Sequence, residues 1–116
     1  MPASSSAARH LVEAALVTWK LISLSDEAAS VVGELVANAV THATRGEAIR
    51  VRVTRHRARV RIAVIDKDPS RPAARPTDPA DESGRGFAIV AALADQWGVD
   101  PLPWGKRVWA DLEATQ

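Results

Sequence analysis

The stretch ELVANAVTHA, residues 34–43, decides the fold, because it joins a buried helical stripe to polar side chains on one face. Residues 25–43 are predicted to form a helix whose apolar positions recur at helical spacing. Glu34 and Asn38 lie four residues apart, so they share one face of that helix, and His42 continues the same line. The buried stripe is supplied by Ala28, Val31, Val32, Leu35 and Ala39.

The rest of the chain supplies two more helices, four short strands and one long loop. Residues 6–20 are predicted to form a first helix, and residues 47–66 alternate apolar and polar positions in two strands joined by a tight turn. Residues 67–83 contain four prolines and cannot form a regular element. A third helix is expected at about 86–96, and two short strands then complete the chain.

The order of these elements predicts the fold class. Helix, helix, strand, strand, loop, helix, strand, strand is not the regular alternation of a doubly wound parallel sheet. It indicates an α/β (α+β) two-layer sandwich, with a mixed, mostly antiparallel sheet and the helices on one face. A length of 116 residues predicts a single domain over residues 1–116.

Composition excludes several classes of protein. The chain has no cysteine, so disulfides and thiolate metal sites are excluded, and its three histidines lack metal-ligand spacing. No apolar run approaches the roughly 20 residues that span a bilayer, and the N-terminus lacks the apolar core of a signal peptide. We therefore expect a cytoplasmic protein without membrane contact. A net charge of only +1 gives no general attraction to nucleic acid.

The polar pair on the second helix can do two linked jobs. Asn38 can offer a neutral oxygen to Mg²⁺, which binds mainly phosphates and water. Glu34 can take a proton from a water or hydroxyl that attacks a phosphate. On spacing alone, two polar residues on a solvated helix face are the commoner explanation. Asparagine is a mediocre helix former, so its mid-helix position favours a function.

Two further candidate sites flank the long loop. Asp66 ends the second strand, where a buried carboxylate could accept hydrogen bonds from the amino group of adenine, although a turn aspartate is the alternative. Gly84 and Gly86 precede the third helix, where backbone N–H groups and the positive helix end can hold phosphates. Two glycines before a helix more often indicate a simple loop, so the order of the features carries more weight than any one of them.

With these features in this order along the chain, the sequence closely resembles the anti-sigma-factor serine/threonine kinases. They belong to the larger GHKL group of ATPases, which includes gyrase and the histidine kinases. The resemblance runs from about residue 8 to residue 112. It is carried by the stretches ELVANAVTHA (34–43), VID (64–66) followed by Pro69, SGRGFAIV (83–90), ALADQWGV (92–99) and GKRVWA (105–110).

The resemblance implies a histidine-kinase-like ATPase (Bergerat) fold that holds ATP between helices under a lid, here about residues 67–83. It implies that Glu34 is the general base, that Asn38 is the Mg²⁺ ligand and that Asp66 reads adenine. Gly84 and Gly86 would approach the phosphates. Such proteins bind a sigma factor and phosphorylate a serine on a small antagonist protein. The implied function is therefore control of sigma-factor availability, with no direct contact to nucleic acid.

Four departures from the family pattern leave an alternative open. Asp68 stands where a glycine is frequent, Glu82 where an arginine precedes the Ser-Gly of the lid, and Arg107 where a threonine helps to hold adenine. The segment before the first helix is also too short for the extra strand that contributes to the usual homodimer. The alternative is a module that binds ATP weakly or not at all and regulates a partner by contact alone.

Arginines cluster on the predicted outer face of the hairpin. A platform for an acidic protein or for nucleic acid is one explanation, and a small nucleic-acid-binding domain would depend on this feature alone. A solvated sheet face is the explanation we prefer, because no aromatic platform for bases accompanies the arginines. The cluster comprises Arg50, Arg52, Arg57, Arg59 and Arg61.

Overall fold

A computed structural model describes residues 2–42, 49–67 and 82–114 of the chain. Within these ranges the backbone forms helices at the start and a sheet that is completed only by the last two strands. The elements are α1 (Pro2–Trp19), a 3-10 turn (Ile22–Leu24), α2 (Ser25–His42), β1 (Arg50–His56), β2 (Arg59–Asp66), α3 (Glu82–Leu93), β3 (Gln96–Leu102) and β4 (Gly105–Glu113).

Helix α1 ends in a Schellman motif whose left-handed residue is a lysine. Lys20 has a φ of 60°. The N–H of Leu21 donates to the carbonyl oxygen of Leu16 at 2.8 Å, and the N–H of Lys20 donates to that of Val17 at 3.1 Å. These bonds satisfy carbonyls that a helix end otherwise leaves without partners. Because the chain turns here, α2 can pack against α1.

The four strands form one sheet in the order β1-β2-β4-β3, and each neighbouring pair is antiparallel. The prediction of a mostly antiparallel sheet is therefore confirmed. The hairpin of β1 and β2 closes through the two residues between His56 and Arg59. The first of these, Arg57, has a φ of 58°, as tight hairpin turns require. The prediction that Arg57 shares the outer face of the strands is wrong, because Arg57 forms the turn.

The hydrophobic core lies between the sheet and α2. Helix α2 packs on β2 and β4, while α1 and α3 pack against α2. All five residues of the predicted α2 stripe are at most 3% exposed, so that prediction is confirmed. None of the described helices combines the length and the apolar character that crossing a membrane requires. The fully buried apolar side chains include Leu16, Ile62, Leu112, Val12, Val31 and Val32.

Helix α3 begins and ends earlier than predicted. It starts at Glu82, so Gly84 and Gly86 lie inside its first two turns rather than before it. The predicted start was at about residue 86. Glycine has a low helix propensity, but packing overrides such preferences. The helix ends at Leu93, where the N–H of Ala94 donates to the carbonyl oxygen of Val90 at 2.8 Å. The chain then enters β3 at Gln96.

Candidate functional site

Asn38 is a buried polar residue in an otherwise apolar stretch of α2. The residue is 9% exposed, and its Oδ1 accepts no hydrogen bond from any residue in the described ranges. A buried amide oxygen without a donor costs about 1–3 kcal/mol, so its retention needs an explanation. An oxygen with lone pairs to offer suits Mg²⁺ or a water bound to Mg²⁺. The predicted metal ligand therefore has the chemistry that a magnesium nucleotide needs.

Glu34 lies one helical turn before Asn38 and is half-buried. Four residues of α-helix rise by about 6 Å, so the carboxylate and the amide occupy neighbouring positions along α2. A half-buried carboxylate can contact a reactant while it stays in reach of water. The placement fits the predicted general base beside the predicted Mg²⁺ ligand.

Asp66 ends β2 as predicted, and it is buried in an ion pair. Its Oδ1 accepts a hydrogen bond from Nζ of Lys106 at 3.0 Å, and the two side chains are 2% and 3% exposed. Asp66 and Lys106 are direct cross-strand partners in the pairing of β2 with β4. Burying two charges is costly unless each is paired and hydrogen-bonded. The ion pair therefore fixes the carboxylate at the predicted adenine-reading position.

Lys106 is the site residue that sequence reasoning missed. Val108, Ala110 and Leu112 alternate as inward positions of β4, and the same period of two places Lys106 on the inward face. That parity was a usable signal in the sequence. The partner of Lys106 could not be identified from the sequence, because the pairing of β2 with β4 depends on residues far apart in the chain.

Gly105 brings the two strands of the ion pair close together. A Cβ atom on Gly105 would overlap the backbone carbonyl oxygen of Asp66 and would lie 2.8 Å from Cα of Lys67. Any side chain here would force backbone atoms apart. The glycine therefore holds the start of β4 against the end of β2, next to the buried carboxylate.

Arg107 lies on the outer face of the sheet, on the side opposite to Lys106. Its Nε and Nη2 donate to Oδ2 of Asp100 at 3.0 and 2.8 Å, on the outer face of the sheet. Neighbouring residues of a strand point to opposite faces, and Lys106 takes the inward side. The side chain of Arg107 therefore points away from the buried pair of Asp66 and Lys106.

The elements that carry the predicted site residues pack against one another. Helix α2, with Glu34 and Asn38, contacts β2, which ends at Asp66, and it also contacts α3, which contains Gly84 and Gly86. Gly84 is the third residue of α3, within the first four positions whose backbone N–H groups lack acceptors inside a helix, and Gly86 is the fifth residue. Most of the predicted lid, including Asp68, lies outside the described residues.

Comparison with known proteins identifies the class of domain. Residues 1–111 match the family described as the histidine kinase-like ATPase domain, and the chain belongs to that family. Domains of this family bind ATP, typically together with Mg²⁺. No curated protein matches the chain.

Two solved structures from Erythrobacter litoralis share the fold. One is the histidine kinase domain of the EL346 blue-light activated histidine kinase, with 20% identity and a TM-score of 0.61, covering 80% of this chain and 46% of that chain. The other, described as the EL346 blue-light activated histidine kinase, has the same identity and TM-score and covers 82% of this chain and 32% of that chain. This chain spans less than half the length of either structure.

Proposed function

We propose that this domain binds Mg-ATP and transfers its γ-phosphoryl group to a serine or threonine hydroxyl of a partner protein. The observation that carries the proposal is the buried Oδ1 of Asn38, which has no donor among the described residues. It lies on the helix that contacts both β2 and α3. Membership in the histidine kinase-like ATPase family is the reason to propose ATP as the nucleotide.

On the base side of the site, Asp66 accepts hydrogen bonds from the exocyclic amino group of adenine. Lys106 holds the carboxylate from β4 at 3.0 Å and so acts as a positioning residue. Because both side chains are buried, water competes little for the carboxylate, and a misoriented base loses hydrogen bonds that it cannot replace.

On the phosphate side, Asn38 offers its amide oxygen to the metal, and Glu34 accepts the proton of the attacking hydroxyl. When bound, Mg²⁺ neutralises phosphate charge. The first turns of α3 direct backbone N–H groups toward the phosphates, where Gly84 and Gly86 add no side chains that could block the approach. Positioning and charge neutralisation supply most of the catalysis in such a reaction.

The proposed partners are a sigma factor and a small antagonist protein, in the cytoplasm. The support is the resemblance of residues 34–43, 64–66 and 83–90 to the anti-sigma-factor kinases. In this proposal the domain sequesters the sigma factor, and phosphorylation of the antagonist changes which partner is bound. The same proposal includes the formation of a homodimer by this domain.

A second candidate is a module that regulates a partner by contact and turns over no ATP. The observation in its favour is the ion pair of Asp66 with Lys106, because the carboxylate already has a cationic partner in the fold. Turnover separates the two candidates. Transfer of the γ-phosphoryl group to the partner supports the first, and tight partner binding without transfer supports the second.

The catalytic step is tested by transfer of label from γ-labelled ATP to the antagonist protein. Glu34→Gln should abolish transfer and leave nucleotide binding intact, because the amide cannot accept the proton. Glu27→Gln, at an exposed glutamate of the same helix, is the matched control and should transfer at the wild-type rate. Equal transfer by both variants would remove Glu34 from the mechanism.

A further inference from the structure

Strand β1 is an edge strand of the sheet and is unusually rich in arginine. The order β1-β2-β4-β3 leaves β1 and β3 with one free side each among the described strands. An edge presents N–H and C=O groups that can pair with another extended chain. Strand β3 contains Pro101, which cannot donate to such a pairing, whereas β1 contains no proline.

The arginines of the outer sheet face fall into two groups, and the first group is neutralised. Nε and Nη2 of Arg61 donate to the carboxylate of Asp111 at 2.7 and 3.0 Å. Arg59 donates to Asp111 at 3.4 Å and to Glu113 at 2.8 Å. The hydrogen-bonded Asp111 raises the pKa of the Arg61 guanidinium above its usual value, against the lowering effect of burial. Arg107 is paired with Asp100 in the same way.

The second group is not neutralised. Arg50 and Arg52 of β1 are exposed on this face, and they form no ion pair with any residue in the described part of the chain. The cross-strand neighbours of Arg50 and Arg52 are Ile65 and Ala63, which carry no charge. Among the described strands, positive charge without a paired carboxylate is therefore concentrated on β1, the edge strand that contains no proline.

The same face is unsuited to stacking nucleic-acid bases. Its aromatic residue, Trp109, lies against Gly98, where an added Cβ atom would approach the indole to 2.7 Å. Arg61 also lies over the ring, with its guanidinium carbon 4.0 Å from the ring centroid. A covered ring offers no platform for bases, so the arginines favour a peptide over a single-stranded nucleic acid.

We propose that β1 is a docking edge for an extended, acidic segment of a partner protein. The segment would add a strand beside β1 and place acidic side chains at alternate positions, opposite Arg50 and Arg52. Backbone hydrogen bonds would supply the pairing, and alternate side chains would supply selectivity. This surface lies outside the proposed nucleotide site, so the inference holds or fails independently of the proposed function.

Fluorescence anisotropy with synthetic peptides tests the proposal. The probe is a labelled peptide of alternating Glu and Thr, about ten residues long, which is enough to span a strand. It should bind saturably at low ionic strength, and its affinity should fall as salt is added. A peptide with the same residues in two blocks should bind more weakly, and an alternating Lys and Thr peptide should not bind.

Charge variants locate the binding. Arg52→Glu should lower the affinity for the alternating acidic peptide by about tenfold, because it replaces an attraction with a repulsion. Arg107→Gln is the matched control, since this arginine is already paired, and it should change the affinity by less than about twofold. Amide hydrogen exchange should slow in β1 when the peptide is bound. Arg50→Glu repeats the test at the neighbouring outward position.

Several results would overturn the proposal. Absence of saturable binding at low ionic strength would mean that the arginines merely prevent association between sheet edges. Equal binding of the block peptide, or an equal loss in Arg52→Glu and Arg107→Gln, would exclude strand addition at β1. Tighter binding of a single-stranded oligonucleotide of the same charge would assign the surface to nucleic acid.

Discussion

Two neighbouring residues of β4 make ion pairs on opposite faces of the sheet, and the pairs differ in their environment rather than in their length. Lys106 and Asp66 lie 3.0 Å apart with side chains 3% and 2% exposed, whereas Arg107 and Asp100 lie 2.8 Å apart with side chains 38% and 40% exposed. Exposed pairs stabilise a protein by about 0–1 kcal/mol, but a buried charge that loses its partner costs about 3–5 kcal/mol. Burial, not distance, therefore distinguishes the candidate site from the surface.

The largest effect is expected from breaking the buried pair. Lys106→Met keeps the volume of the side chain but leaves the carboxylate of Asp66 buried without this cation, and it should lower the free energy of unfolding by about 3 kcal/mol. Arg107→Met, one residue along, should lower it by at most about 1 kcal/mol. Urea unfolding of the two variants measures the difference.

A double variant sharpens the same comparison. Combining Lys106→Met with Asp66→Leu removes both buried charges and should recover most of the lost stability, because apolar replacement of a buried pair is often neutral. Equal losses of stability in Lys106→Met and Arg107→Met would show that burial does not determine how much an ion pair contributes. Failure of the double variant to recover stability would show the same.

The next largest effect concerns the close approach of the strands at the buried pair. Gly105→Ala would place a Cβ atom against the backbone of Asp66 and Lys67, and should lower the free energy of unfolding by about 2 kcal/mol or more. Gly33→Ala is the control, because the atoms nearest to its Cβ would be those at the end of the flexible Arg9 side chain. Alanine also favours the interior of a helix by up to about 1 kcal/mol, so this variant should be neutral or stabilising. Thermal unfolding that ranks Gly33→Ala as the worse variant would contradict the described packing.

The smallest effect comes from a site that involves no ion pair. Lys20 has a φ of 60° at the end of α1, a conformation that disfavours residues with a Cβ atom. Lys20→Gly should raise the free energy of unfolding by about 0.5–1 kcal/mol, since glycine adopts it without strain. Lys20→Ala removes the same charge without relieving the strain and should not stabilise. An equal gain in the free energy of unfolding for Lys20→Gly and Lys20→Ala would attribute the effect to loss of the lysine charge rather than to relief of backbone strain.

Local patterns predicted much of the fold. The helical spacing of Ala28, Val31 and Leu35 identified α2, and period-two alternation identified both strands of the hairpin and the last strand. The position of Asp66 at the end of a strand followed from the same alternation. These signals are local in the chain, so neighbouring residues are enough to read them.

The missed features depend on contacts between distant parts of the chain. The ion pair of Lys106 with Asp66 exists because β4 pairs with β2 in one register, across 40 positions of sequence. The neutralisation of Arg61 by Asp111 has the same origin. Helix α3 continues through Gly84 and Gly86 despite their low propensity, and it packs on α2. None of these arrangements can be read from a short window of sequence.

The most direct test of the account is to measure both stability and nucleotide binding in the variant Asn38→Leu. Leucine fills the space of the amide but has no oxygen, so it removes the buried acceptor that lacks a donor among the described residues. We predict that the free energy of unfolding is unchanged or rises by about 1 kcal/mol, while calorimetry finds the affinity for Mg-ATP at least about tenfold weaker. Unchanged affinity for Mg-ATP in a folded Asn38→Leu protein would contradict the proposed site.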